Sequence, residues 1–344
     1  MPILKTDFSP SLPFKNGHFS TIYRALFTKT AYSYQRKRIT THDTDFIDLD
    51  FSTVGSNTIA ILTHGLEGSS KSNYILTALK KLNSKNIDTV SFNLRGCSGE
   101  NNLLLGTYHS GKTEDLETVI NYILKNYDYE NILLIGYSLG GNMTLKYMGE
   151  YAEKQSHKIK GAIAVSVPID LESSGKEMSK WNTKLYMSNF LKTLKVKVLQ
   201  KSKEFPDFKL DEIALQKAKN FTDFDEIYTA PVFGFKNAKD YWKKASAKPY
   251  LSKIKKPTLL VTSLDDPFLS SKCYPFKEAE NSKYFYLEVT KYGGHVGFIS
   301  SFVDKKNDWL EQRIFRFIKK NSNLKTIKTI SSGQTHTFSS CFSQ

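Results

Sequence analysis

Short apolar runs recur along the chain at 58–63, 89–93, 131–137, 161–167, 257–263 and 284–289. They are rich in Ile, Leu and Val and scarcely alternate with polar residues, as strands buried on both faces do. Segments with helical spacing lie between them, at 73–82, 113–126 and 142–152. The second opens Thr113-Glu114-Asp115, which puts acids against the positive end of a helix dipole. Strands alternating with helices predict an α/β architecture: a mostly parallel central sheet with helices on both faces. Ahead of this series, residues 38–53 alternate around Ile47, Leu49 and Phe51, which predicts an antiparallel hairpin at the sheet edge.

The alternation breaks at about 171–253. There Met187, Phe190, Leu191, Leu194 and Val198 fall on one helical face, and a second helix is expected over 211–220. A helix packed on the main core would show the same stripe. An insertion this long between two sheet strands reads better as a helical lid over the strand ends. Residues 321–344 are Ser/Thr-rich and weakly periodic, which predicts a flexible tail. Residues 1–320 then form one domain carrying the lid.

A chain of 344 residues, 40% hydrophobic, is enough for one large core. Its three cysteines, Cys97, Cys273 and Cys341, show no paired spacing, which disfavours a disulfide framework or structural zinc site and suits a reducing compartment. No secretory leader or membrane-spanning run is legible, so a cytoplasmic protein is expected. The net charge of +15 is spread along the chain and is mostly lysine, with Arg36-Lys37-Arg38 as the one tight cluster. That distribution favours a lysine-rich composition over a dedicated anion-binding role, and leaves room for a weak association with membrane surfaces. No nucleic-acid motif accompanies it, so no nucleic-acid partner is expected. Nothing in the sequence bears on oligomeric state.

The chemistry concentrates in a few loops. Residues 131–141, NILLIGYSLGG, run from a buried strand through Gly136-Tyr137-Ser138-Leu139-Gly140 into a helix. The bare pattern is weak. Its placement between strand and helix makes it a nucleophile elbow, which projects a serine hydroxyl above the sheet of an α/β hydrolase. The competing reading is a glycine-rich turn with a capping serine. A serine needs a base. Of seven histidines, His295 follows the last strand, sits in Gly293-Gly294-His295-Val296-Gly297, and completes the chain order serine, acid, histidine. His157 and His336 lie in polar segments, and His42 in the edge hairpin. The acid should follow the preceding strand, where Asp265 and Asp266 are adjacent; Asp266 is preferred and Asp265 is the fallback. Oxyanion donors are expected from the backbone N–H groups of Leu139 and, in the loop Thr63-His64-Gly65-Leu66-Glu67-Gly68, of Leu66. His64 is then a structural loop histidine rather than a second base. No metal-ligand spacing and no nucleotide loop is present, so neither metal nor cofactor is expected.

At this level the chain resembles the YheT-like hydrolases, bacterial relatives of one group of eukaryotic α/β-hydrolase-domain proteins. The resemblance covers nearly all of residues 8–318. It is carried by Phe8-Ser9-Pro10-Ser11-Leu12 with Gly17-His18, HGLEGSS at 64–70, NLRGCSGE at 93–100 and YHSGKTED at 108–115. GYSLGGNM at 136–143, TAPVFGF at 229–235, DDPF at 265–268 and GGHVGF at 293–298 complete it. Lys112 departs from the acidic or neutral residue usual there. The resemblance implies Ser138, Asp266 and His295 as the triad of a carboxylesterase or acylglycerol lipase, with a small-molecule ester or lipid as substrate. Phe190, Leu191, Tyr241 and Trp242 are expected to line an apolar acyl site. The blocks around Cys97 and His109 have no triad role and are expected to shape the pocket floor. Two alternatives use the same residues or fold: an acyltransferase, and a non-catalytic lipid-binding scaffold.

Overall fold

The apolar runs become the centre of one sheet. The computed structural model describes residues 2–27, 32–303 and 308–321. Its strands in chain order are β1 (Ile3–Leu4), β2 (Gln35–Thr40), β3 (Phe46–Ser52), β4 (Thr58–Thr63), β5 (Asp88–Asn93), β6 (Asn131–Tyr137), β7 (Ile159–Val165), β8 (Thr258–Ser263) and β9 (Phe285–Thr290). Among the described residues the sheet order is β1-β9-β8-β7-β6-β4-β5-β3-β2. Every neighbouring pair is parallel except β5 with β3 and β3 with β2.

The central strands are buried on both faces because successive side chains point opposite ways. Ile59, Ile61, Ile132 and Leu134 pack on one side, against helices α3 (Thr113–Asn126) and α4 (Leu139–Glu150). Ala60, Leu62, Leu133 and Ile135 pack on the other, against α2 (Asn73–Asn83) and α12 (Trp309–Asn321).

The expected hairpin is β2–β3, at the edge. There Arg36 and Arg38 each fork onto an aspartate of β3, Asp50 and Asp48, at 2.7–2.9 Å. The two arginines of the one tight basic cluster are therefore paired internally and blunt an exposed sheet edge.

The structure adds three elements to those expected: β1, only two residues long, the helix α1 (Gly17–Phe27), and α12, whose buried Leu310, Ile314, Phe317 and Ile318 fall at helical spacing. Helix α4 also starts at Leu139, ahead of the expected 142. The Gly-Gly pair that weakens its intrinsic propensity is held by close packing, described below.

Between β7 and β8 the chain runs through α5 (Leu171–Met178), α6 (Lys184–Glu204), α7 (Glu212–Lys217), α8 (Phe221–Phe224), α9 (Ala230–Val232) and α10 (Ala238–Ala245), and α11 (Phe276–Glu280) follows β8. A π-helical turn, Asp225–Thr229, sits between α8 and α9. Helix α7 is shorter than the helix expected over 211–220. The stripe on α6 does not join the main core. Met187, Leu191 and Val198 gather with Met178, Leu215, Phe224 and Tyr228 into a separate cluster, which Phe268 joins from the segment after β8. No helix among the described residues is long and apolar enough to cross a membrane. The segment 321–344, expected as a tail, lies outside the described residues beyond Asn321.

Candidate active site

Strand β6 delivers Ser138 at a sharp turn. Its backbone takes φ 51° and ψ −118°, a conformation that L-residues rarely adopt. The turn is possible because α4 approaches the sheet closely. A Cβ on Gly136 would lie 2.3 Å from the Gly140 carbonyl oxygen, and one on Gly140 would lie 2.4 Å from that of His64. Any side chain at either position would push the helix off the strand.

His295 and Asp266 converge on this serine from the ends of β9 and β8. His295 Nε2 is 2.8 Å from Ser138 Oγ. Its Nδ1 lies 2.9 and 3.1 Å from the two oxygens of Asp266. The Asp266 side chain is fully buried, and Phe268 N–H donates to its Oδ1 at 2.9 Å. The Phe268 ring covers the imidazole at 4.3 Å between centroids. Asp265 turns elsewhere. It accepts the N–H of Gly294 at 2.9 Å and braces the histidine loop instead of touching the ring.

The loop after β4 lies alongside. Three of its N–H groups are engaged: Gly65 donates to Tyr74 Oη at 2.9 Å, Glu67 to Tyr108 Oη at 3.0 Å, and Gly68 to the Gly65 carbonyl at 3.0 Å. Leu66 supplies the remaining donor of that turn, and it lines the same cleft as Ser138, Leu139 and His295. Leu139 is the first residue of α4, so its N–H has no acceptor within the helix. His64 is locked: Nδ1 reaches the Gly65 carbonyl at 2.7 Å, and Nε2 accepts Leu94 N–H at 3.1 Å. Burial pulls it down to about 4, so it is neutral at ordinary pH.

The cleft over the serine spans about 1060 Å³ of empty space, including the open solvent at its mouth. The insertion supplies much of its wall, including Phe190, Tyr241 and Trp242. Leu191 instead packs inside the insertion's own cluster. Of the two blocks expected at the pocket floor, 108–115 lines the cleft through Tyr108, His109 and Ser110, whereas no residue of 93–100 lines it. Burial holds the His109 imidazole down at about 3. Asn142, on α4, ties three segments together. Its amide nitrogen donates to the carbonyls of Ser110 (2.9 Å) and Ala245 (2.8 Å), and its oxygen accepts Ala247 N–H (2.9 Å).

Several polar residues at the cleft carried no local sequence signal. Lys197, on α6, donates to Glu67 at 2.8 Å and lies 3.3 Å from Cys97 Sγ. Burial pushes the Cys97 thiol up to about 11, which leaves it protonated and inert. Asp225 opens the π-helical turn and lines the cleft, accepting from Trp242 Nε1 (2.8 Å) and Thr229 Oγ1 (2.6 Å). Thr21, on α1, accepts the backbone N–H of His295. The Gly17-His18 pair noted in the sequence lies on this helix.

Residues 61–302 match the family model described as the alpha/beta hydrolase fold. YheT of Escherichia coli (strain K12), whose name places it among esterases, is 32% identical over 314 residues, covering 90% of this chain and 92% of that protein. Human phospholipase ABHD3 is 29% identical over 328 residues, covering 92% of this chain and 80% of its own. Among solved structures, the Pyrococcus furiosus esterase Pf2001 superposes with a TM-score of 0.58 at 19% identity, over 85% of this chain and 91% of its own, a likeness of fold. The chain belongs to the α/β-hydrolase fold family, in its YheT-like branch, and is a carboxylic ester hydrolase.

Proposed function

We propose that Ser138, His295 and Asp266 act as a catalytic triad and that ester cleavage runs through an acyl-enzyme on Ser138. The observation that carries this reading is the unbroken hydrogen-bonded line from Ser138 Oγ through the His295 imidazole to the buried Asp266 carboxylate. As the serine oxygen bonds to the ester carbonyl carbon, its proton passes to Nε2 of His295. Asp266 holds the imidazole with Nδ1 protonated and stabilises the imidazolium. The N–H groups of Leu66 and Leu139 receive the charge on the carbonyl oxygen. Collapse breaks the bond to the alcohol oxygen, which takes the proton from Nε2. Water then repeats the sequence and releases the acid.

The apolar wall of the cleft suits an aliphatic acyl chain, and a glyceride or phospholipid ester fits both that wall and the phospholipase name of the ABHD3 relative. The insertion 171–253 serves as the lid of this site. Free Cys97 and Cys273 suit a reducing cytoplasm.

A fluorophosphonate probe tests the reading. Purified protein should be labelled, and Ser138→Ala should be neither labelled nor able to hydrolyse p-nitrophenyl esters, with kcat down by about four orders of magnitude or more. Label that persists in a folded Ser138→Ala protein would overturn the assignment.

A further inference from the structure

Helix α1 is built inside out. Its polar and small residues, Gly17, Ser20, Thr21 and Arg24, are the buried ones. They are engaged inward: Thr21 with His295, Arg24 with Glu311 of α12 and Thr77 of α2. Its large apolar residues face out at helical spacing. Phe19 is 37% exposed, Ile22 43%, Leu26 60% and Phe27 67%. A helix normally turns its apolar stripe to the core. Here nothing inside the described residues covers that stripe, and neighbouring segments extend it. Phe302, 58% exposed, lies edge-on to Phe19 and Tyr23, and Val303 beside it is 88% exposed.

The surroundings indicate what covers it. Lys15 is exposed two residues before the helix, Lys29 follows Phe27 in the sequence, and Asp304, Lys305 and Lys306 follow Val303. The chain as a whole carries +15. An apolar stripe with aromatic residues, flanked in sequence by lysines on a cationic protein, matches the interfacial zone of an anionic bilayer, where apolar burial and charge attraction add.

We propose that the outer face of α1, with Phe302 and Val303, docks the protein on anionic phospholipid surfaces. The docked helix is the one whose inner face braces the His295 loop, so the site is held next to the lipid surface.

The test needs no catalytic readout. Wild type and the triple variant Ile22→Ser, Leu26→Ser, Phe27→Ser are sedimented with vesicles of phosphatidylcholine alone and with added phosphatidylglycerol. Wild type should pellet with the anionic vesicles, and the variant should lose partition by about tenfold or more. All three side chains are exposed, so the variant should keep the wild-type circular dichroism spectrum. Equal partition of variant and wild type would overturn the proposal in favour of diffuse charge. Absent vesicle binding, with a wild-type dimer that the variant dissolves into monomers, would overturn it in favour of a second copy of the chain.

Discussion

Thr21 accepts a hydrogen bond from the backbone N–H of His295, at 2.8 Å, across 274 residues of chain. Its own hydroxyl donates to the Gly17 carbonyl at 2.7 Å. A helix near the start of the chain thus fixes the loop that presents the histidine. Thr21→Val keeps the shape and removes the acceptor. The loss of one buried hydrogen bond is worth about 1–2 kcal/mol, so kcat should fall roughly five- to thirtyfold with KM little changed. Thr21→Ser should restore most of it. A valine variant with wild-type kcat would show that the loop holds itself.

The two adjacent aspartates should separate sharply. Asp266→Asn leaves the imidazole in the wrong tautomer and should cost about 10⁴ in kcat. Asp265→Asn keeps an acceptor for Gly294 N–H and should cost about tenfold or less. Steady-state kinetics on one soluble ester decides it, and equal losses would mean that both carboxylates orient the ring.

Gly17 sits under the Asp265 carbonyl, where a Cβ would lie 1.8 Å from that oxygen. Gly17→Ala must therefore displace either α1 or the acid loop. It should lower the melting temperature by several degrees and lower kcat together, whereas Ala25→Ser, on the exposed side of the same helix, should do neither. Thermal melts and kinetics of the two variants check the contrast.

Asp225 links stability to pH. Burial pushes its carboxyl up to about 7, against an ordinary value of 3.8. The folded state therefore holds this proton more tightly than the unfolded chain, and the cost of ionising it grows as pH rises through that window. Asp225→Asn cannot ionise. Its melting temperature relative to wild type should rise between about pH 5 and pH 8, whatever the fixed cost of altering the contacts to Trp242 and Thr229. Calorimetry at both pH values measures the difference, and a relative stability that is flat or falls with pH would refute the linkage.

Much of the core was legible because it rests on composition within short windows. The runs around Ile61, Leu134 and Val261 announce strands buried on both faces, and the steric demands of the elbow are written in Gly136 and Gly140. The edge pairing of Arg36 and Arg38 was not legible, since the aspartates that neutralise them lie in another strand. Thr21 was invisible for the same reason. It serves the site through one contact with a loop 274 residues away, and no local pattern encodes such a contact. The preference for Asp266 over Asp265 rests on its place past the strand end and on the family resemblance, and it is Asp266 that lies against the ring.

Asn142 holds the exit of the insertion through one carbonyl and one N–H, both belonging to the backbone. Such an anchor is indifferent to side-chain identity on its far side. The insertion can therefore change its sequence, and with it the lining of the cleft, while its point of return to the sheet stays fixed. One amide on α4 makes the wall over the serine an exchangeable cassette on a constant frame.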